Sequence, residues 1–138
     1  MAIVGSPDYF NKQPVPDSPA QLVEHRAINL YLPTSATANR WRLIRDGREV
    51  RARMEGQLLL NSIDLIFDAA INGHGLAYLP FDQVQDALTA KKLIRVLNKF
   101  TPDLPGYHLY YPHRRHAGSA FSLVIDRLRL NAESMRIT

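Results

Sequence analysis

A chain of 138 residues with 46% hydrophobic and 22% charged residues is one ordinary domain or a piece of a larger one, and this composition excludes a disordered protein. It contains no cysteine, which excludes disulfides and thiolate metal sites and fits a reducing compartment, and its apolar runs are too short to cross a bilayer. The net charge of +4 and pI near 9.6 permit attraction to nucleic acid, but a surplus of this size is more often just a solvated face.

Met1 to Phe10 lacks the basic start and apolar stretch of a signal peptide, so a cytoplasmic location is expected. Ala2 to Val4 reads as a strand running into Gly5-Ser6-Pro7, where Pro7 biases Ser6 away from helix. Asn11 to Pro19 reads as loop. Ser18-Pro19-Ala20-Gln21 then offers a cap, a proline suited to the first helical position and a capping-box partner, which predicts a short helix to about Arg26. Ala27 to Leu32 is β-rich and ends at Pro33, followed by the small polar loop TSATAN.

In WRLIRDGREVRARM, Trp41 to Met54, the pair Asp46-Gly47 supplies the positive φ angles of a two-residue type I′ hairpin. Counting outward pairs Arg45 with Arg48, Leu43 with Val50 and Trp41 with Ala52. Trp41, Leu43, Val50 and Ala52 then share an inward face continued by Met54, while Arg42, Ile44, Glu49, Arg51 and Arg53 face water. A nucleic-acid ribbon on those arginines is the lesser reading, because the one aromatic points inward.

Gln57 to Leu60 reads as a fully apolar strand, Ser62 to Asn72 as a helix with Ile63, Ile66, Phe67, Ala70 and Ile71 on one stripe, and Gly75 to Leu79 as a second apolar strand. Gly73 sits where a left-handed C-cap belongs. Non-alternating strands joined by a helix predict a βαβ unit in a parallel sheet covered on both faces. Asp82 is expected to cap a helix to about Lys91. Leu93 to Leu97 and Tyr107 to Tyr111 follow as strands, and Ser119 as the cap of a helix with the stripe Phe121, Val124, Ile125 and Leu128.

Catalytic chemistry has little to work with. His113 and His116 form an HxxH pair with two arginines between them, which disfavours a divalent cation. His74 and His25 stand at helix ends, where a structural role is the default, and His108 on its strand stays open. No serine stands in a nucleophile elbow, and no glycine loop matches a phosphate or dinucleotide fingerprint. We read a non-enzyme with no cofactor and no metal. Asn61-Ser62 differs, because ligands settle beyond the carboxyl ends of parallel strands, where helix N-termini offer unpaired N–H groups to an anion such as a carboxylate. The same two residues serve equally well as an ordinary helix cap. The end of the Asn29–Leu32 strand, with Thr34 and Ser35, is a second candidate wall or a plain surface turn.

Taken together, VGSPDYF, HRAINLYLPTS, the DG hairpin, LLLNSIDLIFDAAINGHGLAYLP, KKLIRVL and YHLYYPHRR before a helix resemble the effector-binding domain of LysR-type transcriptional regulators. The resemblance covers nearly the whole chain. It implies an α/β fold, a periplasmic-binding-protein-like (type 2) lobe with a mixed, mainly parallel sheet flanked by helices. On this resemblance residues 1–98 correspond to effector-binding lobe II and residues 99–138 to the return strand and helix of lobe I. The family's winged helix-turn-helix and the first half of lobe I have no counterpart here, so promoter DNA is expected to be met only through that missing domain.

The implied function is effector sensing by a homo-oligomeric regulator. By position, the lobe II wall falls on Asn29, Leu30, Thr34 and Ser35, on Asn61, Ser62 and Ile63, and on Gly75 and Tyr78 of the strand that closes the unit. One wall alone is expected to hold a small-molecule effector weakly, and the unpaired lobe I segment is expected to favour self-association. A transport-type solute-binding protein of the same fold is the other alternative, and it would need an export signal.

Overall fold

The β-rich runs of the sequence assemble into a mixed sheet in which apolar side chains leave on both faces. This computed structural model describes residues 1–33, 40–103 and 119–136. The chain forms two compact units, Met1–Leu104 and Pro105–Thr138.

In the first unit, β1 (Ala2–Gly5) lies between β6 (Leu76–Leu79) and β7 (Ile94–Val96), antiparallel to both, while β2 (Ala27–Leu30) lies between β5 (Leu58–Leu60) and β6, parallel to both. The strand order is β5-β2-β6-β1-β7. Four strands thus run one way and β1 runs against them. The expected β5–α2–β6 unit forms, with helix α2 (Ile63–Ile71) passing over the intervening β2.

Alternation along each strand builds two cores. Ala2, Val4, Ile28, Ala77 and Leu79 face α2 and helix α3 (Phe81–Thr89), meeting Ile66, Ala70, Val84 and Ala87. Ile3, Ala27, Leu76 and Val96 face the opposite way, toward Tyr9 of helix α1 (Pro7–Phe10), Leu22, and Trp41, Leu43 and Met54 of the hairpin β3–β4 (Arg40–Arg45 and Arg48–Arg53). Burying each such Leu or Ile side chain contributes about 1.5–3 kcal/mol. The helix-sheet-hairpin sandwich is what holds the strand ends in place.

The hairpin takes the register counted from its turn, with Asp46 at φ 51° and Gly47 at φ 73°, the two positive angles of a type I′ turn. Gly73, at φ 77°, ends α2 as expected.

Other expectations are corrected. β5 is not covered on both faces, since Leu59 is 52% exposed, and among the described residues it stands at the edge of the sheet. The helix expected to reach Arg26 is a 3-10 turn, Pro19–Glu24, which keeps the Ser18–Gln21 capping box. Pro80, not Asp82, precedes α3, leaving Asp82 in its first turn. Of the α2 stripe, Ile63 stays 36% exposed while Ile66 and Ala70 are buried.

The second unit is described as helix α4 (Ser119–Arg136). Ser119 is its first helical residue rather than its cap, Ile125 is buried, and Phe121, Val124 and Leu128 of the expected stripe are exposed. The expected strand Tyr107–Tyr111 with His108, and the pair His113 and His116, lie outside the described residues.

Candidate functional site

The parallel strands β2, β5 and β6 end together. Leu30 pairs with Leu60, Ala27 with Leu76, and β1 begins at the same edge, with Ala2 opposite Leu79. Beyond this edge lie Tyr31, Asn61 and Pro80, and Tyr31 N–H donates to Leu60 O at 2.6 Å, extending the β2–β5 ladder by one step.

At the β5–α2 corner Asn61 is exposed and Ser62 half-buried. Ser62 occupies the N-cap position with extended φ −132° and ψ 135°, yet its hydroxyl makes no capping hydrogen bond, while its carbonyl accepts from Ile66 N–H at 3.1 Å. The Asn61 side chain is thus open to solvent, and the Ser62 hydroxyl leaves the first-turn amides uncapped. Asp64 stands in that same turn. Its charge already complements the helix dipole and opposes a second carboxylate nearby. At the ends of β2 and β5 and the start of α2, Tyr31, Leu32, Leu59 and Ile63 are all at least one-third exposed.

The other expected wall residues divide. Asn29 is 2% exposed and fully employed: its Nδ2 donates to Met54 O at 3.1 Å and its Oδ1 accepts from Trp41 Nε1 at 3.2 Å. These two bonds clamp the hairpin to the sheet. Tyr78 does the same work from β6, stacking on Trp41 at 5.6 Å between ring centroids and donating its hydroxyl to Arg42 O at 2.9 Å. Burial pushes its phenol above the ordinary value.

Leu30 packs into the α2-side core. Gly75 belongs to the opposite, amino edge, where a Cβ would sit 2.5 Å from Arg26 O, so it is there to let β6 start beside β2. Thr34 and Ser35 lie outside the described residues. The structure thus gathers Asn61, Ser62 and Ile63 at one corner and leaves Asn29, Tyr78 and Gly75 away from it.

Two further features were not read from the sequence. Tyr9 hydroxyl sits 2.9 Å from His25 Nδ1 and accepts from Arg26 N–H at 3.2 Å, tying α1 to the start of β2. Burial lowers the His25 pKa and raises that of Tyr9. At the amino edge an open cavity of about 280 Å³ is lined by Tyr9, Lys12, Arg26, Gln57, Gly73 and His74 among others. A Tyr and a His separated by a loop carried no pattern that would have paired them. Among the described residues no group of three His, Asp or Glu could hold a metal, and no helix is long and apolar enough to cross a membrane.

The family model described as LysR substrate binding domain matches residues 1–133. The chain is 81% identical over 129 residues to the HTH-type transcriptional regulator PgrR of Escherichia coli (strain K12), covering 94% of this chain and 43% of that protein. It is 43% identical to a putative transcriptional regulator of Pseudomonas aeruginosa, over 94% of this chain and 42% of that one. The chain therefore spans less than half the length of these curated relatives. Among solved structures, the regulatory domain of AphB in Vibrio vulnificus superposes with TM-score 0.70 at 23% identity, covering 91% of this chain and 61% of that one. CrgA of Neisseria meningitidis, a LysR-type transcriptional regulator, gives TM-score 0.66 at 22% identity, over 75% and 34% of the two chains.

Proposed function

The chain belongs to the LysR substrate-binding-domain family, and from this we propose that it senses a small molecule for a DNA-binding transcriptional regulator, without catalysis, at the carboxyl edge of its sheet. The observation that carries the reading is the β5–α2 corner, where Asn61 is exposed and Ser62 makes no capping hydrogen bond, flanked in the chain by the exposed apolar residues Leu59 and Ile63. Asn61 and Ser62 supply the polar contacts and Ile63 an apolar one, and the family position of Leu30, Thr34 and Ser35 keeps them in the reading, the last two lying outside the described residues. Asn29 and Tyr78 support that wall by fixing the hairpin behind it, and Gly75 by letting the strands align.

A carboxylate effector remains part of the reading, but Asp64 requires that its charge be balanced from an opposing wall rather than from this corner. Effector binding then acts by population shift, favouring one arrangement of lobes or subunits in a cytoplasmic homo-oligomer and so changing how the parent regulator sits on DNA.

A single open corner cannot enclose most of a ligand's surface. Titration calorimetry of this chain with a panel of small carboxylic acids should therefore show no binding tighter than millimolar, and micromolar binding would contradict the one-wall reading.

A further inference from the structure

The hairpin carries an arrangement that folding alone disfavours. Its register sets Arg40 opposite Arg53, Arg42 opposite Arg51 and Arg45 opposite Arg48, three like-charge pairs in one six-residue ladder. Like charges directly opposite one another destabilise a strand pair. Glu49 is the only carboxylate within the strands, and it ties together Arg42 at 3.3 Å and Arg51 at 3.5 Å. Outside them, Asp46 reaches Arg45 at 3.9 Å and Glu55 reaches Arg53 at 3.6 Å, both highly exposed contacts. Residues 40–55 hold six arginines against Asp46, Glu49 and Glu55, so this one segment carries +3 of the chain's +4.

Four of these arginines, Arg40, Arg42, Arg51 and Arg53, share the outward face, while Trp41, Leu43 and Met54 anchor the inward face in the core. Same-face neighbours stand about 7 Å apart along a strand and about 5 Å apart across the pair. The result is a cluster of guanidinium forks on one face, with Glu49 between Arg42 and Arg51, and guanidinium is the group that pairs most readily with phosphate oxygens.

We propose that this outward face docks on the phosphate backbone of double-stranded DNA without reading its sequence. A duplex presents one negative charge about every 1.7 Å of its axis, so closely spaced arginines meet phosphates in any register. An acidic protein surface would need carboxylates placed to match. The face exposes no aromatic ring on which unpaired bases could stack, which favours duplex over single strand. The inference revises the expectation that DNA contact belongs only to a separate domain, and it stands on the hairpin alone, independent of the effector corner.

The test is fluorescence anisotropy of a labelled duplex of arbitrary sequence with the whole chain, titrated at several salt concentrations. Binding is expected at low salt and should weaken with a log–log slope of about −3 to −4, near −0.9 per phosphate neutralised. The double variants R42Q/R51Q and R40Q/R53Q should each lose at least tenfold in affinity and about 2 from the steepness of that slope. The second pair leaves both Glu49 contacts in place, so it carries the test should the first disturb folding. No binding at low salt, or variants that bind like the parent chain, would overturn the proposal. So would an acidic peptide that displaces the duplex at equal charge concentration, which would point to a protein partner.

Discussion

Asn29 and Asn61 stand at the ends of neighbouring parallel strands, β2 and β5, and do opposite things. Asn29 is buried with donor and acceptor both taken by the hairpin, while Asn61, one step past the edge, is exposed beside a serine whose hydroxyl makes no capping bond. The difference is one of surroundings, not of residue type. A buried amide must be satisfied internally, and only one left at a solvated corner stays available to a ligand.

The contrast is sharpest in stability. Asn29→Leu should cost about 2–4 kcal/mol, because it strands Trp41 Nε1 and Met54 O inside the core, whereas Asn61→Ala should stay within about 0.5 kcal/mol. Urea unfolding of the two variants measures both, and equal losses would erase the distinction drawn between them. Tyr78→Phe keeps the stack on Trp41 and removes only the bond to Arg42 O, so about 0.5–1.5 kcal/mol is expected in the same assay.

A smaller, pH-dependent effect should come from His25. Its pKa in the folded chain lies below the ordinary 6.5 because burial opposes the charge. The unfolded chain then binds the proton more readily, so this contribution is fully present above about pH 6.5 and is lost as pH falls below it toward the folded value. Thermal melts between neutral and mildly acidic pH should show a falling Tm whose slope flattens in His25→Gln. The smallest effect belongs to Ser62→Ala. A working N-cap costs about 0.5–2 kcal/mol to remove, but Ser62 makes no capping bond, so circular-dichroism melts should barely move. A loss of the full capping value would return Ser62 to a purely structural role.

Much of this arrangement could be read locally. Asp46-Gly47 dictated the hairpin register, Gly73 the end of α2, and the apolar runs around them the crossover. What stayed hidden depends on partners distant in the chain. Nothing near Asn29 announces Trp41, 12 residues on, or Met54, 25 residues on, as the groups that occupy it. Three leucines at 58–60 look alike whether one or both faces of a strand are covered, and only the packing leaves Leu59 exposed. The place of Gly75 could be read locally, since it comes just before the strand and so sits at the edge opposite Asn61.

The corner at Asn61 and Ser62 is proposed as the place where a small molecule is met. Amide chemical-shift mapping of this chain with small carboxylic acids at high millimolar concentration tests it most directly. Shifts confined to Tyr31, Asn61, Ser62 and Ile63 are the predicted result. Shifts confined instead to Lys12, Arg26 and His74, around the cavity at the opposite edge, would contradict it.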